Sequence, residues 1–323
     1  MNKKIFCVTG CLGFMASYFV NACLSKGYYV IGIDKIDVVS NINLLNEWKD
    51  FTNFKFIKVD INDLKELYDC DYVVNFAASS HVDRSINGSK QFLYDNVNGI
   101  HNLLELIKFQ SKENRPEFIS ISTDETYGDL TEGSHVETDL LKPSNPYAAS
   151  KSCGDMLILA WARTYGLRYN IIRPTNNYGI NQYPEKLIPR ACKCLKLGRK
   201  IPLHNNGTPR RTWLHAQDTT NGILDIIEKG NRNEIYNIAG NYEDTNINVV
   251  TKIINCYLHR NIYTSLNEED INTYIDFSFN RPGVDVRYSL NDSKLRSLGW
   301  SATKEFDLEI PYIVNYYKNH FIW

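Results

Sequence analysis

Lys4-Ile5-Phe6-Cys7-Val8-Thr9-Gly10-Cys11-Leu12-Gly13-Phe14-Met15-Ala16 is the stretch that decides the fold of this chain. An apolar run of the length of one buried strand ends on Gly10, and Gly13 follows before residues 16–25 take on helical character. Small residues at Gly10 and Gly13 let the backbone turn tightly and come close to a pyrophosphate, whose charge a helix N-terminus stabilises. Ala16 holds the third small position and still permits close packing of helix on strand. A glycine pattern alone is a weak signal; its place between a strand and a helix gives it weight.

The rest of the first half repeats that unit. Strands are predicted at 4–9, 29–33, 54–59, 72–76, 117–122 and 169–173, with helices at 16–25, 92–109 and, after Pro146, through 144–165. The strand runs lack polar alternation, as strands covered by helices on both faces do. This predicts an α/β chain with a Rossmann-like doubly wound parallel sheet. After Asn181 the alternation loosens. Helices at 187–197, 217–228 and 249–259 are separated by loop-like stretches at 205–209 and 280–284. We expect a dinucleotide-binding domain over 1–180, its core also receiving later segments, and a smaller C-terminal substrate-binding lobe over 181–323.

Bulk composition narrows the partners. The 323 residues are enough for a sizeable core, and 43% hydrophobic with 23% charged residues is ordinary for a globular protein. A formal net charge of -1 gives no general attraction to nucleic acid or to an acidic membrane. No stretch approaches the ~18 apolar residues of a membrane span, and the short run after Lys3-Lys4 lacks a signal-peptide ending. The eight cysteines are scattered without metal-finger spacing, which points to reduced thiols, no metal and a cytoplasmic protein.

Asp34 ends the second predicted strand about 20 residues after the glycine turn, where a carboxylate would take the adenosine ribose hydroxyls. An acid there repels a ribose phosphate and favours NAD over NADP, while Lys35 beside it weakens that preference. Asp60-Ile61 suits the adenine edge, although a strand-ending Asp in a turn is an equally ordinary reading. Phe76-Ala77-Ala78 supplies small residues beside the middle of the cofactor. With Gly10, Gly13, Phe14 and Met15 these complete the expected binding surface.

Tyr147-Ala148-Ala149-Ser150-Lys151 lies in the helix after the fifth strand, and the i, i+4 spacing puts Tyr147 and Lys151 on one face. A nearby ammonium favours the phenolate, so the tyrosine could take a hydroxyl proton while a hydride leaves the same carbon.

Together, Gly-x-x-Gly-Phe, Asp34, Asp60-Ile61 and Tyr147/Lys151 resemble the extended short-chain dehydrogenases that act on nucleotide sugars. More narrowly, Ser122-Thr123-Asp124-Glu125-Thr126-Tyr127-Gly128 resembles the matching segment of the nucleoside-diphosphate-glucose 4,6-dehydratases. The likeness continues in His81-Val82-Asp83-Arg84-Ser85, Asn176-Asn177-Tyr178-Gly179, Pro184-Glu185-Lys186-Leu187-Ile188-Pro189, Arg211 with Trp213-Leu214, and Arg281-Pro282-Gly283. It implies dehydration of UDP-glucose or dTDP-glucose to the 4-keto-6-deoxy sugar with bound NAD, in a homodimer whose seam lies around 96–109 and 154–165. It implies Glu125 as the base at carbon 5, Asp124 as the acid at the carbon 6 hydroxyl, and Thr123 on the carbon 4 oxygen with Tyr147. Ser80, Asn176, Lys186, Leu187, Pro202, His204, Arg211, Asn246 and Arg281 are implied substrate contacts, with Asn177 beside the cofactor.

Several positions depart from the family's pattern. Ser79 stands where Glu is common, Thr126 where Val is, Asp95 where a cofactor-contacting Thr is expected, and Val284 where a His neighbours the base. Asn75-Phe76-Ala77-Ala78 and Val284 are similar to the dehydratase domain of plant rhamnose synthases, which tilts the expected base slightly to uridine. A 4-epimerase would share the fold, cofactor and Tyr/Lys pair, but neither it nor a UDP-glucuronate decarboxylase needs the two adjacent acids. A non-catalytic NAD-sensing protein would be expected to have lost Tyr147, Lys151 or the acids, and all are intact.

Overall fold

The computed structural model describes residues 4–279 and 285–320. The six apolar runs of the first half form β1 (Ile5–Thr9), β2 (Tyr29–Asp34), β3 (Phe54–Lys58), β4 (Tyr72–Asn75), β5 (Glu117–Ile121) and β6 (Tyr169–Pro174). The second half adds β7 (Asn176–Tyr178), β8 (Ile201–Pro202), β9 (Arg210–His215), β10 (Glu234–Ile238), β11 (Tyr242–Thr245) and β12 (Ile275–Asp276). The main sheet runs β10-β6-β5-β4-β1-β2-β3, every pair parallel. The strand order reverses at β1, whose Val8 sits opposite Gly32 of β2 on one side and Val74 of β4 on the other. Ligands of open parallel sheets bind beyond the strand C-termini at such a reversal. The chain therefore carries a Rossmann-like doubly wound sheet.

Alternate residues of β1 feed two different cores. Phe6 and Val8 pack with Phe19, Val20, Cys23 and Leu24 of the helix Phe14–Ser25, and with Ile223 and Leu224 of the helix Ala216–Lys229. Cys7 joins Leu103, Leu104 and Ile107 of the helix Gly99–Lys108 on the opposite face. A third core joins helices Leu187–Lys196, Asn246–Tyr257 and Phe306–Asn319 through Ile188, Cys192, Val250, Ile253, Ile310 and Val314. Each such aliphatic side chain contributes roughly 1.5–3 kcal/mol when fully buried. Leu295 and Trp300 return to the first core, and β10 extends the main sheet beyond β6. A three-stranded sheet, β11-β9-β7, carries Tyr178 and Trp213 into the third core and Leu214 into the first.

Several elements differ from the expectation. The helix predicted over 92–109 is a helix Ser89–Leu93, a π-turn Tyr94–Asn98 and the helix Gly99–Lys108. The wider turn places both Asp95 and Asn96 in the interior, where they are buried. The helix Phe306–Asn319 and the strands β7 to β12 lie where no element was predicted. Among the described residues no helix is long and apolar enough to cross a membrane, and all eight cysteines are free thiols.

Candidate active site

A cleft of about 420 Å³ opens above the C-terminal ends of the main strands, and a side cavity of about 100 Å³ branches from it past Gly10, Gly13 and Phe76. Gly10 has φ +64°, and a Cβ there would lie 2.8 Å from the backbone of Ala77, so no other residue fits this turn without displacement. The helix beginning at Phe14 has no side-chain cap and no acid in its first turn, which leaves its N–H groups directed at the cleft. At the end of β2, Asp34 is buried. It accepts hydrogen bonds from the amides of Leu12 (3.1 Å) and Ile36 (2.8 Å) and from Ser40 Oγ (2.8 Å). Burial nevertheless pushes its carboxyl above the usual range.

The side cavity collects Asp34, Lys35, Asp60, Ile61, Phe76, Ala77 and Ala78, and the main cleft collects Phe14, Met15, Tyr147, Lys151 and Asn177. The amide of Asn177 is held within the protein, donating to the Thr175 carbonyl (2.9 Å) and accepting from Thr219 Oγ1 (2.6 Å). Ser79 and Asp95, two departures from the family pattern, meet in space: Ser79 Oγ donates to Asp95 Oδ2 at 2.5 Å.

The acids follow β5. Thr123 is extended, and its hydroxyl accepts from the Glu125 amide (3.4 Å), capping a one-turn 3₁₀ helix over Asp124–Tyr127. Asp124 is only 3% exposed; Oδ1 accepts from Thr123 Oγ1 (3.2 Å), and Oδ2 is buried with no hydrogen-bond partner. Burial first, then the charge of Glu125, raise its carboxyl to about 7, against the pull of Arg211. Glu125 is half-buried and accepts from Asn145 Nδ2 (3.0 Å); burial raises it too, opposed by Asn145, Arg211 and Lys186.

Asn145 is a site residue that sequence reasoning missed. Its Oδ1 caps the helix Pro146–Tyr165 by accepting from the Ala148 amide (2.9 Å), while its Nδ2 holds Glu125. The signal was present as Asn-Pro, an N-cap followed by proline at the first helical position.

That helix brings Tyr147 and Lys151 to the same cleft. Lys151 Nζ donates to the Ile121 carbonyl (2.7 Å), and burial lowers its pKa to about 8 despite Asp155. The Tyr147 phenol is pushed up by burial and by Glu125, with Thr123 acting in the opposite sense.

The far wall is built by the second half. Asn176, Lys186, Leu187, Pro202, His204, Arg211 and Asn246 line the cleft opposite Ser80. Lys186 Nζ donates to the Ser80 carbonyl (2.7 Å), and Arg84 pairs with Glu185 at 2.8 Å, so the two walls are tied at one end. Arg211 lies over the Tyr288 ring (4.7 Å) and donates to the Asp285 carbonyl (3.2 Å). Arg281 and Val284 lie outside the described residues. Among the described residues no group of three or more His, Cys, Asp or Glu is placed to hold a metal ion.

A doubly wound sheet, a glycine turn at its reversal and a Tyr/Lys helix beside the cleft define a short-chain-dehydrogenase type of Rossmann protein. The family model described as GDP-mannose 4,6 dehydratase matches residues 7–310, and the chain belongs to that family. The dTDP-glucose 4,6-dehydratase of Haemophilus influenzae is 38% identical to it, with 96% of each protein covered. A trifunctional UDP-glucose 4,6-dehydratase/3,5-epimerase/reductase of Arabidopsis thaliana is 36% identical over the whole chain, which spans 48% of that plant protein. Among solved structures, the dTDP-glucose 4,6-dehydratase of Streptomyces venezuelae with NAD bound superposes with a TM-score of 0.89 at 35% identity, covering 98% of this chain and 97% of that one. A UDP-glucuronic acid 4-epimerase from Bacillus cereus shares the fold (TM-score 0.87) at 23% identity, covering 97% of this chain and 99% of that one.

Proposed function

We propose that the chain is an NAD-dependent nucleoside-diphosphate-glucose 4,6-dehydratase, a hydro-lyase that converts UDP-glucose or dTDP-glucose to the 4-keto-6-deoxy sugar nucleotide and water. The observation that carries this reading is the adjacent pair Asp124 and Glu125, both raised and both lining the cleft that Tyr147 lines. A 4-epimerase has no step that needs two such acids. NAD fits the turn at Gly10, the uncapped helix start and Asp34; when bound, it supplies a hydride acceptor that makes carbon 4 a ketone and gives the hydride back at carbon 6.

We assign the remaining steps to side chains. Tyr147 takes the carbon 4 hydroxyl proton, with Thr123 bonded to the same oxygen. A ketone at carbon 4 acidifies the carbon 5 proton, which Glu125 removes. Asp124, kept protonated near neutrality, gives its proton to the departing carbon 6 hydroxyl, which leaves as water, and Glu125 returns its proton to carbon 5 as carbon 6 is reduced. Lys151 positions the ribose and phenol side of the cleft, and Arg211 and Lys186 offer cations to the diphosphate.

We assign 1–180, with the returning segments of the later chain, to the cofactor and 181–323 mainly to the sugar nucleotide. The helices Gly99–Lys108 and Pro146–Tyr165, with the turn before them, leave Leu93, Tyr94, Met156 and Tyr165 exposed. We place the homodimer seam there.

Incubation with UDP-glucose and with dTDP-glucose, read by mass spectrometry, is expected to show loss of one water. A product of unchanged mass would sink the dehydratase reading in favour of epimerisation. The faster of the two sugars identifies the base.

A further inference from the structure

The adenosine end of the dinucleotide cavity is crowded with charge. Asp34, Asp37, Asp60 and Asp95 line it together with a single ammonium, that of Lys35. Lys35 follows the ribose-binding position directly, where a free cation would welcome a 2′-phosphate. It is not free. Its Nζ lies 3.0 Å from Asp95 Oδ1 and 3.6 Å from Asp60 Oδ2.

Both carboxylates are themselves fixed. Asp60 Oδ1 accepts from the amide and the side chain of Asn62, each at 2.9 Å. Asp95 also accepts from Gln91 Nε2 (2.9 Å) and Ser79 Oγ (2.5 Å). Its side chain is 9% exposed, against 34% for Lys35, so the ammonium is anchored on the more buried partner. The π-turn is what carries Asp95 inward to this place.

We propose that Asp95 is a positioning residue that sets the cofactor site for NAD over NADP, by holding Lys35 against Asp60 and away from a ribose 2′-phosphate. The inference rests on the dinucleotide reading of this cavity. Asp34 repels the phosphate directly; Asp95 withdraws the one cation that could compensate. The rise in the Lys35 pKa through Asp95 and Asp60 agrees with an ammonium already paired.

The test measures binding of NAD and of NADP to the cofactor-free protein by calorimetry, with no sugar present. Asp95→Asn keeps the shape but not the charge, and the NAD/NADP affinity ratio is expected to fall roughly tenfold, the scale of one charge-assisted hydrogen bond. Adding Lys35→Gln to that variant is expected to restore the ratio to within about threefold of wild type, which a merely structural loss at Asp95 would not allow. Lys35→Gln alone should move the ratio by less than about threefold, because the ammonium is already neutralised, and it decides the matter even if Asp95→Asn does not fold. A ratio unmoved in Asp95→Asn, or a large loss of NADP affinity in Lys35→Gln alone, overturns the role of Asp95. Wild type that binds neither dinucleotide overturns the cofactor reading, and this inference with it.

Discussion

Replacing Asp124 by Asn should make the protein relatively more stable as pH rises while nearly abolishing dehydration. The carboxyl is 3% exposed, one oxygen lacks a partner, and its pKa rises from 3.8 to about 7. Below pH 3.8 the group is protonated both folded and unfolded, so it carries no penalty. Between 3.8 and about 7 the folded protein keeps a proton that the unfolded chain releases, and wild type loses stability steadily; above 7 the full penalty persists. At about 1.4 kcal/mol per unit, the complete shift is at most about 4 kcal/mol, and roughly half of it develops above pH 5.5. Urea unfolding of both proteins, free of cofactor, should therefore show the stability of Asp124→Asn relative to wild type growing by about 2 kcal/mol between pH 5.5 and 8.5. The unpaired amide of the Asn side chain adds a constant offset that this difference cancels. Loss of the acid should lower kcat by roughly 10²- to 10⁴-fold. A gap that stays flat or shrinks with pH would mean that Arg211 holds Asp124 ionised. Dehydration within tenfold of wild type would remove it as the acid.

Glu125→Gln should bind NAD normally and retain the Asn145 contact, yet lose exchange of the carbon 5 hydrogen with heavy water by roughly 10²- to 10⁴-fold, read by NMR. Undiminished exchange would take the base role away from Glu125. Gly10→Ala places a Cβ 2.8 Å from the Ala77 backbone at φ +64°, so at least about 1–2 kcal/mol of stability and most NAD affinity should be lost, measured by thermal unfolding and calorimetry. Normal NAD binding in that variant would show that the pyrophosphate lies elsewhere.

The first six strands and the glycine turn were legible because local chemistry dictates them. Parallel strands covered on both faces are continuous apolar runs, and a turn that must approach backbone needs glycine. The second-half helices expected at 187–197, 217–228 and 249–259 form as Leu187–Lys196, Ala216–Lys229 and Asn246–Tyr257, but its strands and last helix were not legible, for equally physical reasons. β9 (Arg210–His215) reads as polar because it faces a cleft as well as a core, and β10 is a buried edge of the main sheet only through pairing with β6, distant in sequence. The helix Phe306–Asn319 carries Pro311, a residue that ordinarily argues against a helix interior. The π-turn at Tyr94–Asn98 leaves no periodic mark at all, since one extra residue merely shifts the phase of an amphipathic pattern. Among the site residues, Tyr147 could be read from its spacing to Lys151, and the adjacent acids from the resemblance of residues 122–128 to the dehydratase segment. Lys151's turn to the Ile121 carbonyl could not, because i, i+4 spacing gives a shared face and not a shared hydrogen bond.

Why two neighbouring acids can hold different tasks follows from the turn that carries them. On a strand they would point to opposite faces. Here Thr123 remains extended and the chain then tightens into a single 3₁₀ turn, which ends at Gly128 with φ +85°. A Cβ at Gly128 would lie 2.4 Å from the Lys142 carbonyl, so the turn is closed against the loop that leads to Asn145. That closure drives Asp124 fully inside, beside Thr123, and leaves Glu125 half-buried under the amide of Asn145. Burial raises both carboxyls; the charge of Glu125 adds to the rise at Asp124, while Asn145, Arg211 and Lys186 oppose it at Glu125. The proposed division of labour between acid and base thus rests on a turn whose geometry and side-chain partners differ for the two residues.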